Sequence, residues 1–386
     1  MTGVKLAAMA TEIDRESPAN TVVDLQVIDC DVHPHYRDGI NDLLPYLSPE
    51  WRRKVSGGPN RGWAKQLGVE LALPQNSLYM NPNSIMRRDS IPADGSPPAS
   101  DPQQVIDQLL NTHGIDRAIL LPGDVMGLGI IPDPDLAAAV ARANNDWMID
   151  RWLGADERFR GSLCVAPQNP EASAAEIDRI GGDKRLAQVF WPTTSNFMGE
   201  RQYYPIYEAA ERQGLPVCIH PGAEAVFLRG PGLASGSPTY YIEHHTLIPQ
   251  VFASNLVSML CQGVFERFPK LKLVMIEGGF AWLPGVLWRL DKNWRSVRDE
   301  VPWVKRLPSE YVWDHVRFTT QPLVEPSKAD LLAMCGMIHA EKTLMFSSDY
   351  PHWDFDDPLT ALDTLPAEMR RRIVADNALE TYGDRL

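Results

Sequence analysis

The stretch VIDCDVHPHY, residues 27–36, opens with the apolar alternation of a β-strand and then places Asp31, His33 and His35 at every second position. Side chains two apart along a strand share a face. The pattern therefore predicts a carboxylate and two imidazoles on one side of a strand, where that strand runs out into its loop. Imidazole nitrogens and carboxylate oxygens are the donor set of a catalytic divalent metal that keeps a position open for water. A buried, hydrogen-bonded pair of histidines would read the same way, so the rest of the chain must decide.

Seven further short apolar runs bounded by Gly, Pro or Asp follow: RAILLPGD, RGSLCVAP, AQVFWPTT, PVCIHPG, KLVMIEGG, VRFTTQP and TLMFSSDYPH. Between them lie segments with helical periodicity, such as DPQQVIDQLLNTHG, PDLAAAVARANNDWMIDRWLG, PEASAAEIDRIGG and WLPGVLWRLDKNWRSV, several opening on Asp-Pro or Asn-Pro and stopping at Gly. Strand and helix alternating about eight times predicts an α/β fold, a (β/α)8 TIM-type barrel with its active site at the carboxyl ends of the strands. An open doubly wound sheet is the competing architecture, but the first strand is not followed by G-x-G-x-x-G. One segment breaks the alternation. Residues 36–105, rich in Pro, Gly, Asn and Trp, form a long insertion after strand one and are expected to act as a lid or cap. Residues 1–22 read as an N-terminal extension, and 23–386 as a single barrel domain.

Placed on this frame, CIHPG puts His220 at the end of strand five, and FSSDYPH puts Asp349 at the end of strand eight with His352 just beyond. Each alone reads as a turn or cap residue. Together with Asp31, His33 and His35 they fall at carboxyl ends of predicted strands, which favours a metal centre.

Composition bounds the rest. The chain has 386 residues, 44% hydrophobic and 23% charged, with a formal net charge of −13. That balance argues against a nucleic-acid partner. The start lacks a signal-peptide core, and no apolar run is long enough to span a membrane, so a cytoplasmic protein without membrane partners is expected. Five cysteines without CxxC spacing read as reduced and mostly buried.

The motifs DCDVHPH, CIHPG, GVFERFPKLKLVMIEGG, SSDYPH and IVADNALETYG, spread from about residue 25 to the end, resemble the amidohydrolase superfamily. The similarity is to the branch holding aminocarboxymuconate semialdehyde decarboxylase and the resorcylate and carboxyvanillate decarboxylases. The resemblance implies a distorted barrel, one divalent metal per chain (zinc, with manganese as alternative), a small-molecule substrate and a homodimer. Carried over by position, it makes His33, His35 and His220 ligands, Asp349 a ligand or proton acceptor, and Asp31 a carboxylate near the metal. One position departs from the family pattern. Where the branch's decarboxylases carry a His after strand six, MIEGG offers Glu277, an acceptor rather than a donor when ionised. In YIEHHTLIPQ, His245 is the candidate replacement acid or base. Arg289 in VLWRLDK, and Arg87 and Arg88 in IMRRDS, are candidates for gripping a substrate carboxylate, with His352 beside them. The aromatics at 190–191 and 203–204 either line a ring pocket or pack in the core.

Three functions follow as expectations. The first is a metal-dependent hydrolase that activates water to cleave an amide, lactone or activated carbon–carbon bond, with Asp349, Glu277 and His245 as catalytic residues. The second is a non-oxidative decarboxylase of an aromatic or unsaturated acid. The third, from another class, is a metal-stabilised binding protein without turnover.

Overall fold

In the computed structural model, which describes residues 26–56, 85–222, 240–324 and 327–386, all eight predicted strands form and pair in parallel in sequence order. They are β1 (Ile28–Val32), β2 (Arg117–Leu120), β3 (Phe159–Cys164), β4 (Leu186–Pro192), β5 (Val217–His220), β6 (Leu273–Met275), β7 (Val316–Thr319) and β8 (Leu344–Met345). Between β8 and β1 the contact is a bridge from Val32 to Tyr350 with backbone bonds from the N–H of Cys30 to the carbonyl of Phe346 (3.0 Å), from His33 to Tyr350 (2.8 Å) and from Asp349 to Asp31 (3.1 Å). The barrel is thus nearly closed, and the seam joins the ends of the first and last strands that carry Asp31, His33 and Asp349.

Helices cover the outside, and their ends are marked in the sequence. Pro134–Arg151 starts with Pro at its first position and Asp133 as its cap, the Asp133 carboxylate accepting from the N–H groups of Asp135 and Leu136. Asn169 does the same for Pro170–Ile180, and Ser327 for Lys328–Met337. Tyr204–Gln213 stops at Gly214, whose φ of +64° is the left-handed backbone that glycine adopts without penalty. The strands are fully buried apart from partial exposure at the first residue of β2 and the second of β3, as a sheet sandwiched between its own interior and a helical shell must be.

Two details position the site. In β1 the register to β2 shifts between Asp29 and Val32, a bulge-type irregularity that re-aims the side chains there. The strand then ends at Val32, so strict alternation no longer governs residues 33–35. At the other end of the chain, helix Asn377–Tyr382 sends the Tyr382 hydroxyl to Gln188 of β4, and Asn377 binds the carbonyls of Ala340 and Leu344. The closing motif IVADNALETYG is therefore structural.

The aromatics at 190–191 and 203–204 resolve in favour of the core. Trp191 is fully buried, stacked on Tyr207 at 5.8 Å and edge-on to Tyr203 at 4.7 Å. Four of the five cysteines are buried and all are free. Within the insertion, residues 36–56, including helix Pro49–Ser56, and the stretch from Ile85 onward are described, and residues 57–84 lie outside the described residues, as does the N-terminal extension. Where the insertion returns, Met86 bridges His352 and the Arg87 N–H bonds the Pro351 carbonyl, tying it to the loop after β8.

Candidate metal centre

At the carboxyl ends of β1, β5 and β8, Asp31, His33, His220 and Asp349 converge, with one ligand atom from each lying within 4.8 Å of all the others. All four are essentially buried. His33 Nε2 is 3.0 Å from both Asp31 Oδ1 and Asp349 Oδ1, yet neither contact has hydrogen-bond geometry. Both Asp31 oxygens, both His33 nitrogens, His220 Nε2 and Asp349 Oδ2 lack a hydrogen-bond partner. Buried polar atoms without partners are costly, each about 1–3 kcal/mol, and a cation among them removes that cost at one stroke. The donor set, two imidazoles and two carboxylates, fits a divalent ion.

A fifth residue completes the cluster. Glu277 Oε2 lies 2.7 Å from His220 Nε2. His220 Nδ1 is bonded to the Pro221 carbonyl at 2.7 Å and so carries its hydrogen there, which leaves Nε2 facing the carboxylates of Glu277 and Asp31. Two acceptors at that distance require a proton or a cation between them. Glu277 and Asp349 both have left-handed backbone, φ +59° and +61°. Strained non-glycine backbone of this kind concentrates at functional sites.

Burial and charge pull in opposite directions on these groups. Burial alone would discharge His33 and His220, but Asp31 and Glu277 outweigh it and raise both above the ordinary imidazole value. For Glu277, burial favours the neutral acid, and the His220 charge prevails and holds it below the usual carboxylate range. Asp349 is driven well upward by burial and by the charges of Glu277 and Asp31. Behind the cluster, burial pushes the Asp29 carboxyl up to about 7 against the pull of Ser348. Asp29 accepts from the Ser348 N–H (2.9 Å) and hydroxyl (2.6 Å) and from the Asp31 N–H (3.2 Å), clipping the ligand-bearing end of β1 to that of β8.

Not every expected residue joins. His35 stands outside the group of four, with Nδ1 3.4 Å from Asp124 and its ring over Gly123, where a Cβ would come within 2.8 Å of it. Asp31 and His33 share the inward face as expected, whereas β1 ends at Val32, so alternation no longer holds His35 on that face. His352, expected against substrate, instead bonds Asp349 Oδ1 through Nδ1 at 2.7 Å and lies 4.6 Å from the His33 ring. Arg87 is committed to Asp89, at 2.9 and 2.6 Å, and stacks 4.0 Å over Phe355. Arg88 and Arg289 are exposed, the latter on the outer helix Leu283–Val297. His245 does fold back toward the site. Its Nε2 lies 3.4 Å from Asp354 Oδ2, and its ring stacks on Tyr241 at 5.3 Å. With Glu277 it lines a cavity at the barrel mouth. Asp29, Asp124 and Asp354 were missed from sequence. Asp29 has a legible signal, sitting in step with Asp31 in IDCDVH, whereas Asp354 is recognisable only by its contact.

The amidohydrolase family model matches residues 28–383, nearly the whole chain. The chain belongs to the amidohydrolase family. Among relatives of this amidohydrolase, the gamma-resorcylate decarboxylase of Rhodococcus jostii is 26% identical over 273 residues, 65% of this chain and 78% of the relative. The 2-amino-3-carboxymuconate-6-semialdehyde decarboxylase of Dictyostelium discoideum is 26% identical over 247 residues, 63% of this chain and 65% of the relative. Among solved structures, the 5-carboxyvanillate decarboxylase of Sphingomonas paucimobilis superposes with a TM-score of 0.64 at 22% identity, over 93% of this chain and 99% of that one. A dihydroxybenzoic acid decarboxylase of Polaromonas with bound manganese and 2-nitroresorcinol gives 0.61 at 20% identity, over 92% and 96%. These place the amidohydrolase in the branch named for aminocarboxymuconate semialdehyde decarboxylase, as an enzyme. No helix among the described residues is long and apolar enough to cross a membrane.

Proposed function

We propose that this amidohydrolase is a metal-dependent carboxy-lyase that removes carbon dioxide from a ring-bearing acid. The observation that carries the reading is a buried nitrogen–oxygen donor cluster joined through Glu277 to a largely apolar cavity that is also lined by an imidazole, His245. The relatives support it, being decarboxylases of resorcylate and of aminocarboxymuconate semialdehyde. The hydrolase reading becomes the second one.

Asp31, His33, His220 and Asp349 would hold the ion, which when bound supplies Lewis acidity and an anchor for the substrate's carboxylate and neighbouring oxygen. Two hard carboxylates among four donors favour manganese over the expected zinc, and manganese sits in the Polaromonas structure. His352 orients Asp349 through its 2.7 Å bond, and Asp29 with Ser348 holds the two ligand-bearing ends together. The bond between ring carbon and carboxylate breaks, its electron pair stays on the ring carbon, and that carbon takes a proton as carbon dioxide leaves. We assign delivery of that proton to His245, an imidazole that lies against Asp354 and stacks on Tyr241. Asp354→Asn should lower kcat about 10–100-fold with KM and metal content little changed.

Glu277 is the observation that favours hydrolysis as the second reading: an ionised carboxylate beside His220 is a base poised to take a proton from water. Purified, manganese-loaded protein incubated with 2,6-dihydroxybenzoate, 5-carboxyvanillate, and matched ring amides and lactones separates the two. Carbon dioxide release that disappears in His33→Asn supports the carboxy-lyase. Turnover confined to the amides or lactones would replace it. The homodimer implied by the family resemblance belongs to the same proposal and is read by sedimentation.

A further inference from the structure

Beside the metal cluster the barrel mouth holds a cavity of about 650 Å³. Glu277 and His245 are among its lining residues, the first in contact with His220 of the cluster. The remaining wall is dominated by apolar side chains, among them Leu247, Ile248, Ala253, Phe280, Trp282 and Val324. They come from three places: the helices Tyr241–Leu247 and Pro249–Cys261, the loop after β6, and the loop after β7. The loop after β6 is built around the space. Glu277 and Gly279 turn the chain with φ of +59° and +58°, and a Cβ at Gly279 would meet nothing within 4 Å. Trp282 is fixed as a wall by bonds from its indole N–H to the Gly278 and Gly279 carbonyls, both at 3.0 Å.

We propose that this cavity takes a second apolar group of the substrate, so that the acid is a two-ring or ring-plus-chain compound with its carboxylate toward the metal cluster. The inference rests on the reading of that cluster as the reacting centre. Size and polarity both argue for it. Water occupies roughly 30 Å³ per molecule, so the cavity has room for about twenty groups of that size. A single ring with its carboxylate leaves most of the space to water against apolar walls. A second ring displaces that water and buries its own surface, the arrangement small-molecule sites use.

The test is a binding experiment on the manganese-loaded full chain, using the neutral two-ring fluorescent probe N-phenyl-1-naphthylamine. Ala253→Phe and Val286→Phe place a ring into the cavity from two different helices. One-to-one probe binding is expected, weakened about tenfold or more in each variant. The two-ring acid 3-hydroxy-2-naphthoate should displace the probe at a concentration about tenfold or more below that of 2-hydroxybenzoate. Absence of probe binding, binding unchanged in both variants, or equal displacement by the one-ring and two-ring acids overturns the proposal. Metal content measured on the same samples separates the two readings. Protein that binds the probe, loses it in both variants and holds no metal keeps the cavity assignment and removes the reacting centre, whereas metal-loaded protein that ignores the probe removes only the cavity assignment.

Discussion

Replacing Asp349 by Asn should move thermal stability in opposite directions depending on metal. The carboxylate is fully buried, lies 3.0 Å from His33 Nε2, and shares its site with Asp31 and Glu277. With metal bound, wild type at about 1,000 times its dissociation constant gains ~4.1 kcal/mol from ligation. Altering an outer-shell partner of a metal ligand costs 10–100-fold in affinity, so losing a ligating carboxylate costs at least ~100-fold, or ~2.7 kcal/mol. At ~2.1 cal/mol/K per residue, a chain of this length unfolds with about 0.8 kcal/mol/K, so the metal-induced rise in Tm should shrink from ~5 °C to ~2 °C. Without metal the sign reverses. An acid whose folded pKa is raised destabilises the fold at every pH above its unfolded value, by ~1.4 kcal/mol per unit. Asp349 is raised by burial and by its neighbouring carboxylates, and Asn has no proton to lose. Chelator-treated Asp349→Asn should therefore melt above chelator-treated wild type at pH 7, the difference closing as pH falls below ~4. Scanning calorimetry of chelated and manganese-reconstituted samples, with metal analysis, reads both halves. Equal lowering of Tm in the two states would refute the reasoning, because it would mean that the side chain is only packing.

His33→Asn should lose bound metal on dialysis while His35→Asn retains it, since only the first belongs to the converged group; inductively coupled plasma analysis reads the difference. Ser348→Ala strips the 2.6 Å bond to the buried Asp29 carboxylate, and should cost about 1–3 kcal/mol in urea unfolding with an unchanged m-value. Gly278→Ala would put a Cβ 2.7 Å from the Phe252 ring, and should cost about 1–3 kcal/mol through overpacking; a melting temperature equal to wild type would show that the ring yields freely.

How much of this molecule was legible depended on whether a feature is local. The eight strands were readable because each is a short apolar run closed by Gly, Pro or Asp, and β5 and β8 carry their ligands at the run's own end. Helix starts at Asp133 and Asn169 were readable because a cap bonds backbone N–H groups two or three residues away. On β1, alternation predicts Asp31, His33 and His35 on one face; Asp31 and His33 do converge, and His35 stands apart because the strand ends at Val32 and alternation does not carry on to residue 35.

The sequence by itself determined the barrel, the metal-binding residue types and the unusual Glu277, since periodicity and composition are written along the chain. Only the tertiary structure decided which imidazoles meet, that Glu277 reaches His220, that Asp354 lies against His245, and that Arg87 pairs with Asp89 while Arg289 is exposed. Those are distances between residues up to hundreds of positions apart. Asp29 and Ser348 are 319 positions apart and hydrogen-bonded oxygen to oxygen at 2.6 Å, and no local pattern encodes that approach.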